Sequence, residues 1–108
     1  MLNVFTDTPE TLLSEVVSAV KSGAYPTWKA HTDGTLRYIA RSGAIGGKLV
    51  LRRYDLGITF RYLALQDRGL SANLALRAKL HGRMLEILAR HYLGKYSYVV
   101  FEPLPLAV

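Results

Sequence analysis

Apolar positions in the first quarter of the chain recur three and four residues apart. Leu12, Leu13, Val16, Val17 and Val20 fall on one stripe, the spacing of an amphipathic helix. Thr8 stands where such a helix needs a cap, Pro9 suits its first turn, Glu10 lies near the positive end of its dipole, and Gly23 supplies the stop. Ahead of it, Leu2 to Phe5 reads as a short edge strand.

After Pro26 the period shortens toward two. Asp33-Gly34, at the centre of TDGT (32–35), is a tight-hairpin signal, so residues 27–31 and 36–40 are expected to pair around a two-residue turn. That register sets Trp28 opposite Ile39 and Lys29 opposite Tyr38. It places Trp28, Ala30 and Ile39 on the core face and Lys29, His31, Leu36 and Tyr38 on the other. RSGAIGG, 41–47, reads as a glycine-rich connection. A second hairpin follows: KLVLRRY, a turn at DLG, then ITFRYLAL. Alternation sends Leu49, Leu51, Ile58, Phe60 and Tyr62 to the core and Lys48, Arg52 and Arg61 to the opposite face.

Asp67 to Ser71 breaks the pattern, and a helix of roughly twenty residues then runs to Leu93, with Ser71 or Asn73 as cap and Gly94 beyond its end. Projected at 100° per residue, Leu76, Leu80, Met84, Ile87 and Leu88 share one arc, and Lys79, Arg83, Glu86 and Arg90 lie opposite. YSYVVFE, 96–102, is β-branched and aromatic and predicts a last strand, which the proline-rich PLPLAV does not extend. The expected fold class is α+β, a two-layer sandwich over a single globular domain, residues 1–108. An antiparallel sheet of four to five strands carries two helices on one face, in the order αββββαβ after the short first strand.

Composition narrows the chemistry. The 108 residues contain no cysteine, which excludes disulfides, zinc–thiolate centres and thiol nucleophiles and suits a reducing compartment. MLNVFTDTPETL lacks the basic and long apolar regions of a secretory signal, and no apolar run approaches bilayer length, so a cytoplasmic protein without a membrane span is expected. The net charge of +6 is unevenly spread. Residues 1–28 set Lys21 against Asp7, Glu10 and Glu15, net −2, and Glu102 adds −1, so residues 29–95 carry +9. A concentration of that size is the electrostatic footprint for nucleic acid, an acidic protein or an anionic lipid surface.

No motif commits to a reaction. GAIGGK, 43–48, lacks the spacing of a phosphate loop and leads into a strand. His31, His81 and His91 share no i, i+4 pairing, so no metal or other cofactor is expected. The candidate anion-binding residues are Lys29, Tyr38, Lys48, Arg52 and Arg61, cations and an aromatic on one sheet face as in a single-strand platform. The plainer account of the same residues is the wet side of an antiparallel sheet. Arg77 and His81, one turn apart at the margin of the apolar arc, join the candidates. The plainer account there is a snorkelling arginine and a satisfied boundary histidine. The leading expectation is a small non-enzymatic binding protein engaging nucleic acid or an acidic protein. A metal-free ribonuclease of the toxin type, and an inhibitor or immunity-type protein for an acidic partner, are the alternatives.

Overall fold

A computed structural model of the chain describes residues 1–40, 43–65 and 69–102. The elements are β1 (Leu2–Phe5), α1 (Pro9–Lys21), β2 (Trp28–Ala30), β3 (Leu36–Ala40), β4 (Gly43–Tyr54), β5 (Gly57–Ala64), α2 (Leu70–His91) and β6 (Tyr98–Phe101). The strands form one antiparallel sheet in the order β2-β3-β4-β5-β1-β6. The α+β class and the element order are as expected, but the sheet has six strands and not four to five. β1 is an interior strand, paired on one side with β5 (Leu2↔Phe60) and on the other with β6 (Leu2↔Phe101). Four residues are too few to declare such a place locally; partners far along the chain decide it.

β4 also begins earlier than the glycine-rich composition suggests, at Gly43. At Gly47 a Cβ would stand 2.1 Å from the Tyr62 ring, so a glycine in this strand marks a close approach and not a loop.

The β2–β3 hairpin departs from expectation by one residue. Trp28 pairs with Tyr38 and Lys29 with Arg37. The loop holds three residues: the His31 amide donates to Thr35 O (3.0 Å), the Gly34 amide donates to His31 O (3.0 Å), and Gly34 sits at φ +82°. Glycine therefore serves as the left-handed third residue of a longer loop, not as the second of a tight pair. Because side chains alternate strictly, the slip turns all of β3 over. Leu36 enters the core, Tyr38 meets Trp28 edge-on at 5.3 Å, and Arg37 takes the outer position assigned to Tyr38.

In α1 the buried stripe is Leu12, Val16 and Val20. Thr8 occupies the cap position without a side-chain cap bond; its amide donates instead to the Thr6 hydroxyl oxygen at 3.2 Å. α2 starts at Leu70 after Gly69 (φ +86°), so Ser71 and Asn73 lie inside the helix and not at its cap. Leu80, Met84 and Leu88 are fully buried, and Lys79, Arg83, Glu86 and Arg90 are exposed, as the projection requires. Both helices bury these stripes against one sheet face, where Leu2, Val4, Trp28, Leu36, Leu49, Ile58 and Phe60 complete a single core. The expected proline-terminated tail, 103–108, lies outside the described residues. Among the described residues no helix is long and apolar enough to cross a membrane.

Phe60 is fully buried at the centre of this core. Phe60→Ala is expected to cost about 3–5 kcal/mol in urea unfolding, through lost transfer energy and the cavity left behind; a loss below about 1 kcal/mol would contradict the packing described.

Candidate functional site

With both helices on one side, no described element covers the other sheet face, and register determines what it displays. Four rows cross it. Lys29, Arg37, Lys48 and Leu63 form the first; Val50 and Arg61 continue toward Met1 and Glu102 as the second. Arg52, Thr59, Asn3 and Val100 form the third, and Tyr54, Gly57, Phe5 and Tyr98 the fourth. Arg53 points to the helix side and pairs with Glu10 at 2.9 Å.

The cations on this face are not equivalent. Asp33, in the β2–β3 loop, reaches both Arg37 and Lys48 at 3.5 Å, and their side chains are only 25% and 21% exposed. Its Oδ1 also accepts from the Thr35 hydroxyl at 2.6 Å and the Thr35 amide at 3.0 Å. Those hydrogen bonds first, and then the Lys48 charge, hold the Asp33 carboxyl well below the usual carboxylate range. Two cations thereby share one negative charge. Lys29, Arg52 and Arg61 are exposed, and among the described residues no carboxylate pairs with them. Arg52 and Arg61 rim a shallow depression of about 500 Å³ floored by Asn3, Phe5 and Thr59. Asn3 is held in place, accepting from the Thr59 hydroxyl at 3.1 Å and donating to Glu102 Oε1 at 2.8 Å.

Of the residues singled out from sequence, Lys29, Lys48, Arg52 and Arg61 therefore share the outer face, and Tyr38 does not. Tyr38 lies on the core side with the Lys79 ammonium 5.5 Å above its ring. What sequence reasoning missed is Arg37 and the aromatic row. Phe5 stacks on Tyr98 at 4.4 Å and 17°, and Tyr54 meets Phe5 edge-on at 6.4 Å across the gap left by Gly57. Parity along β4 puts Tyr54 with Arg52; the strand order that brings Phe5 and Tyr98 beside it has no local signal.

Arg77 and His81 stand elsewhere, beneath the β5-β1-β6 half of the sheet. Arg77 is 8% exposed, donates to the Glu102 carbonyl at 2.7 Å and lies 5.6 Å over the Phe101 ring, so it ties α2 to the end of β6. His81 is 1% exposed and edge-on to Phe101. Its Nε2 is 3.1 Å from Phe60 O. A carbonyl only accepts, which assigns the proton to Nε2 and leaves Nδ1 a bare acceptor with no hydrogen-bond partner. His31 sits in the β2–β3 loop and His91 at the end of α2 against Tyr25 (5.3 Å), so the three histidines are not gathered around one point. Among the described residues no group of histidines and carboxylates could hold a metal.

Compared with protein-family models, curated proteins and solved structures, the chain matches none.

Burial, then the positive Met1 ammonium, lowers the His81 pKa to about 4 from an ordinary 6.5. The folded protein thus resists a proton that the unfolded chain accepts. Stability is expected to fall as pH drops from about 6.5 to about 4 and to level off in this respect below that. His81→Leu removes the slope over that window in urea unfolding; an unchanged slope would show that the ring is not held neutral by the core.

Proposed function

We propose that the protein is a small binding protein whose uncovered basic sheet face engages an anionic macromolecule. The observation that carries the reading is the segregation of the sheet: both helices cover one face, while Lys29, Arg52 and Arg61 stand exposed and without a described carboxylate partner on the other. A face that only needed to be wet would be served equally by acids and bases. Here one of its carboxylates, Asp33, is bound to two bases and another, Glu102, is held by Asn3. Unneutralised cations on a sheet surface attract polyanions at long range and release counterions when the two meet. The cysteine-free composition suits such a role in the cytoplasm. Arg77 and His81, offered as part of this surface by their sequence positions, act in this reading as anchors of the core.

Fluorescence anisotropy against a short single-stranded oligonucleotide and against poly-glutamate tests the reading. Affinity for at least one is expected to fall steeply with salt. When the oligonucleotide is the ligand, Arg52→Ala with Arg61→Ala should flatten the log–log slope by about 0.7 for each phosphate that is no longer neutralised. Absence of binding to both at low salt, or affinity indifferent to salt, overturns it. Asp33→Asn retains an acceptor for Thr35 but releases Arg37 and Lys48, so it is expected to tighten polyanion binding at neutral pH. Weaker binding by this folded variant would show that Asp33 orders the face and does not mask it.

A further inference from the structure

Resting on the reading of this face as an anion-binding surface, we propose that its ligand is single-stranded nucleic acid, with Tyr98 as a stacking platform for a base and Arg52 and Arg61 as phosphate-binding groups. Tyr54, Phe5 and Tyr98 belong to three separate strands, yet the register aligns them across the outer face directly beside the row that holds Arg52. Phe5 covers one face of the Tyr98 ring at 4.4 Å. β6 is the last strand of the sheet and Tyr98 is 56% exposed, so among the described residues no strand flanks the ring on the side away from Phe5. A ring held upright by a stacked neighbour loses little freedom when a second flat group settles on it.

An aromatic row next to exposed arginines is the pairing that single strands require, since stacking serves any base and cations track the backbone. Rows on the same face lie two residues apart along a strand, roughly 7 Å, and the row from Tyr54 to Tyr98 spans three inter-strand steps, roughly 14 Å. A few nucleotides cover that ground. Other occupants fit less well. A second copy packed face to face about a two-fold axis would set Arg52 and Arg61 against like charges. An acidic polypeptide would satisfy the arginines but offers no flat group to match the open ring. A duplex keeps its bases stacked on one another and presents none to Tyr98.

The experiment compares three probes by anisotropy at low and moderate salt: a short single-stranded oligonucleotide, an abasic phosphodiester of equal length, and the matching duplex. Wild type is expected to prefer the single strand. Tyr98→Leu keeps apolar cover over Phe5 but removes the aromatic face, and should weaken the single strand by about 5- to 150-fold, the span for one base–aromatic stack, while leaving the abasic strand unchanged. Tyr98→Trp should retain or strengthen single-strand binding. Arg52→Ala with Arg61→Ala should weaken both single-stranded probes. Thermal unfolding of each variant checks that the fold is intact, and Tyr98→Phe serves as the variant closest to wild type. If the single strand, abasic strand and duplex bind alike and Tyr98→Leu changes nothing, the stacking inference is overturned while the anionic face stands. An equal loss for all probes also overturns it, since Tyr98 would then act through the shape of the face. If no probe binds at low salt and poly-glutamate does, the nucleic-acid inference falls and the broader reading survives; if nothing binds, both fall.

Discussion

The ladder between β4 and β5, running from Gly47↔Ala64 to Tyr54↔Gly57, is the constraint on which the rest depends. It is the longest pairing in the sheet. Its period of two settles two things together: Leu49, Leu51, Ile58 and Phe60 turn toward the helices, and Lys48, Arg52 and Arg61 turn away. A slip of one residue would turn one strand over against the other and bury either Lys48 and Arg52 of β4 or Arg61 of β5, a cost far beyond what packing could offset. At the turn end of the ladder, Gly57 admits β1, because any Cβ there would stand 1.9 Å from the Val4 carbonyl oxygen. Core, basic face and the docking of β1 thus follow from one register.

Much of this is legible in the sequence because it is local. The stripe of α1, the apolar arc of α2 and the alternation of the β4–β5 hairpin each lie within a single segment, and the buried residues agree with them. The β2–β3 hairpin is not, because Asp33-Gly34 serves loops of two and of three residues, and the choice between them rests on where Leu36 and Tyr38 find their packing. Tyr38 then leaves the outer face and Arg37 enters it. The aromatic row is illegible for another reason. Phe5, Tyr54 and Tyr98 are far apart in the chain, and only the strand order β4-β5-β1-β6 gathers them.

Arg77 and His81, singled out by their place on the helix, are both built into the packing. Both sit beside the apolar arc, and both bind main-chain carbonyls, of Glu102 and Phe60 respectively. Each ties α2 to the β5-β1-β6 half of the sheet. The unpaired Nδ1 of His81 is the penalty of that arrangement, tolerable because burial keeps the ring neutral. Around it Ala78, Gly82, Leu85 and Phe101 leave an apolar groove of about 290 Å³ along the flank of α2.

The position of β1 between β5 and β6 has a kinetic meaning. The first strand must find a partner more than fifty residues away and then a second nearly one hundred residues away, since Leu2 pairs with both Phe60 and Phe101. The four consecutive hairpin strands β2 to β5 need only short loops to close. The molecule is therefore divided into a half that can assemble as it is made and a half that waits for the last strand, and the slow step of folding belongs to the closure of that second half. Until it closes, Leu2 and Val4 lack their cover and Arg77 and His81 lack the Phe101 and Glu102 groups they meet, which makes this seam the place where an unfinished chain is most exposed to misassembly.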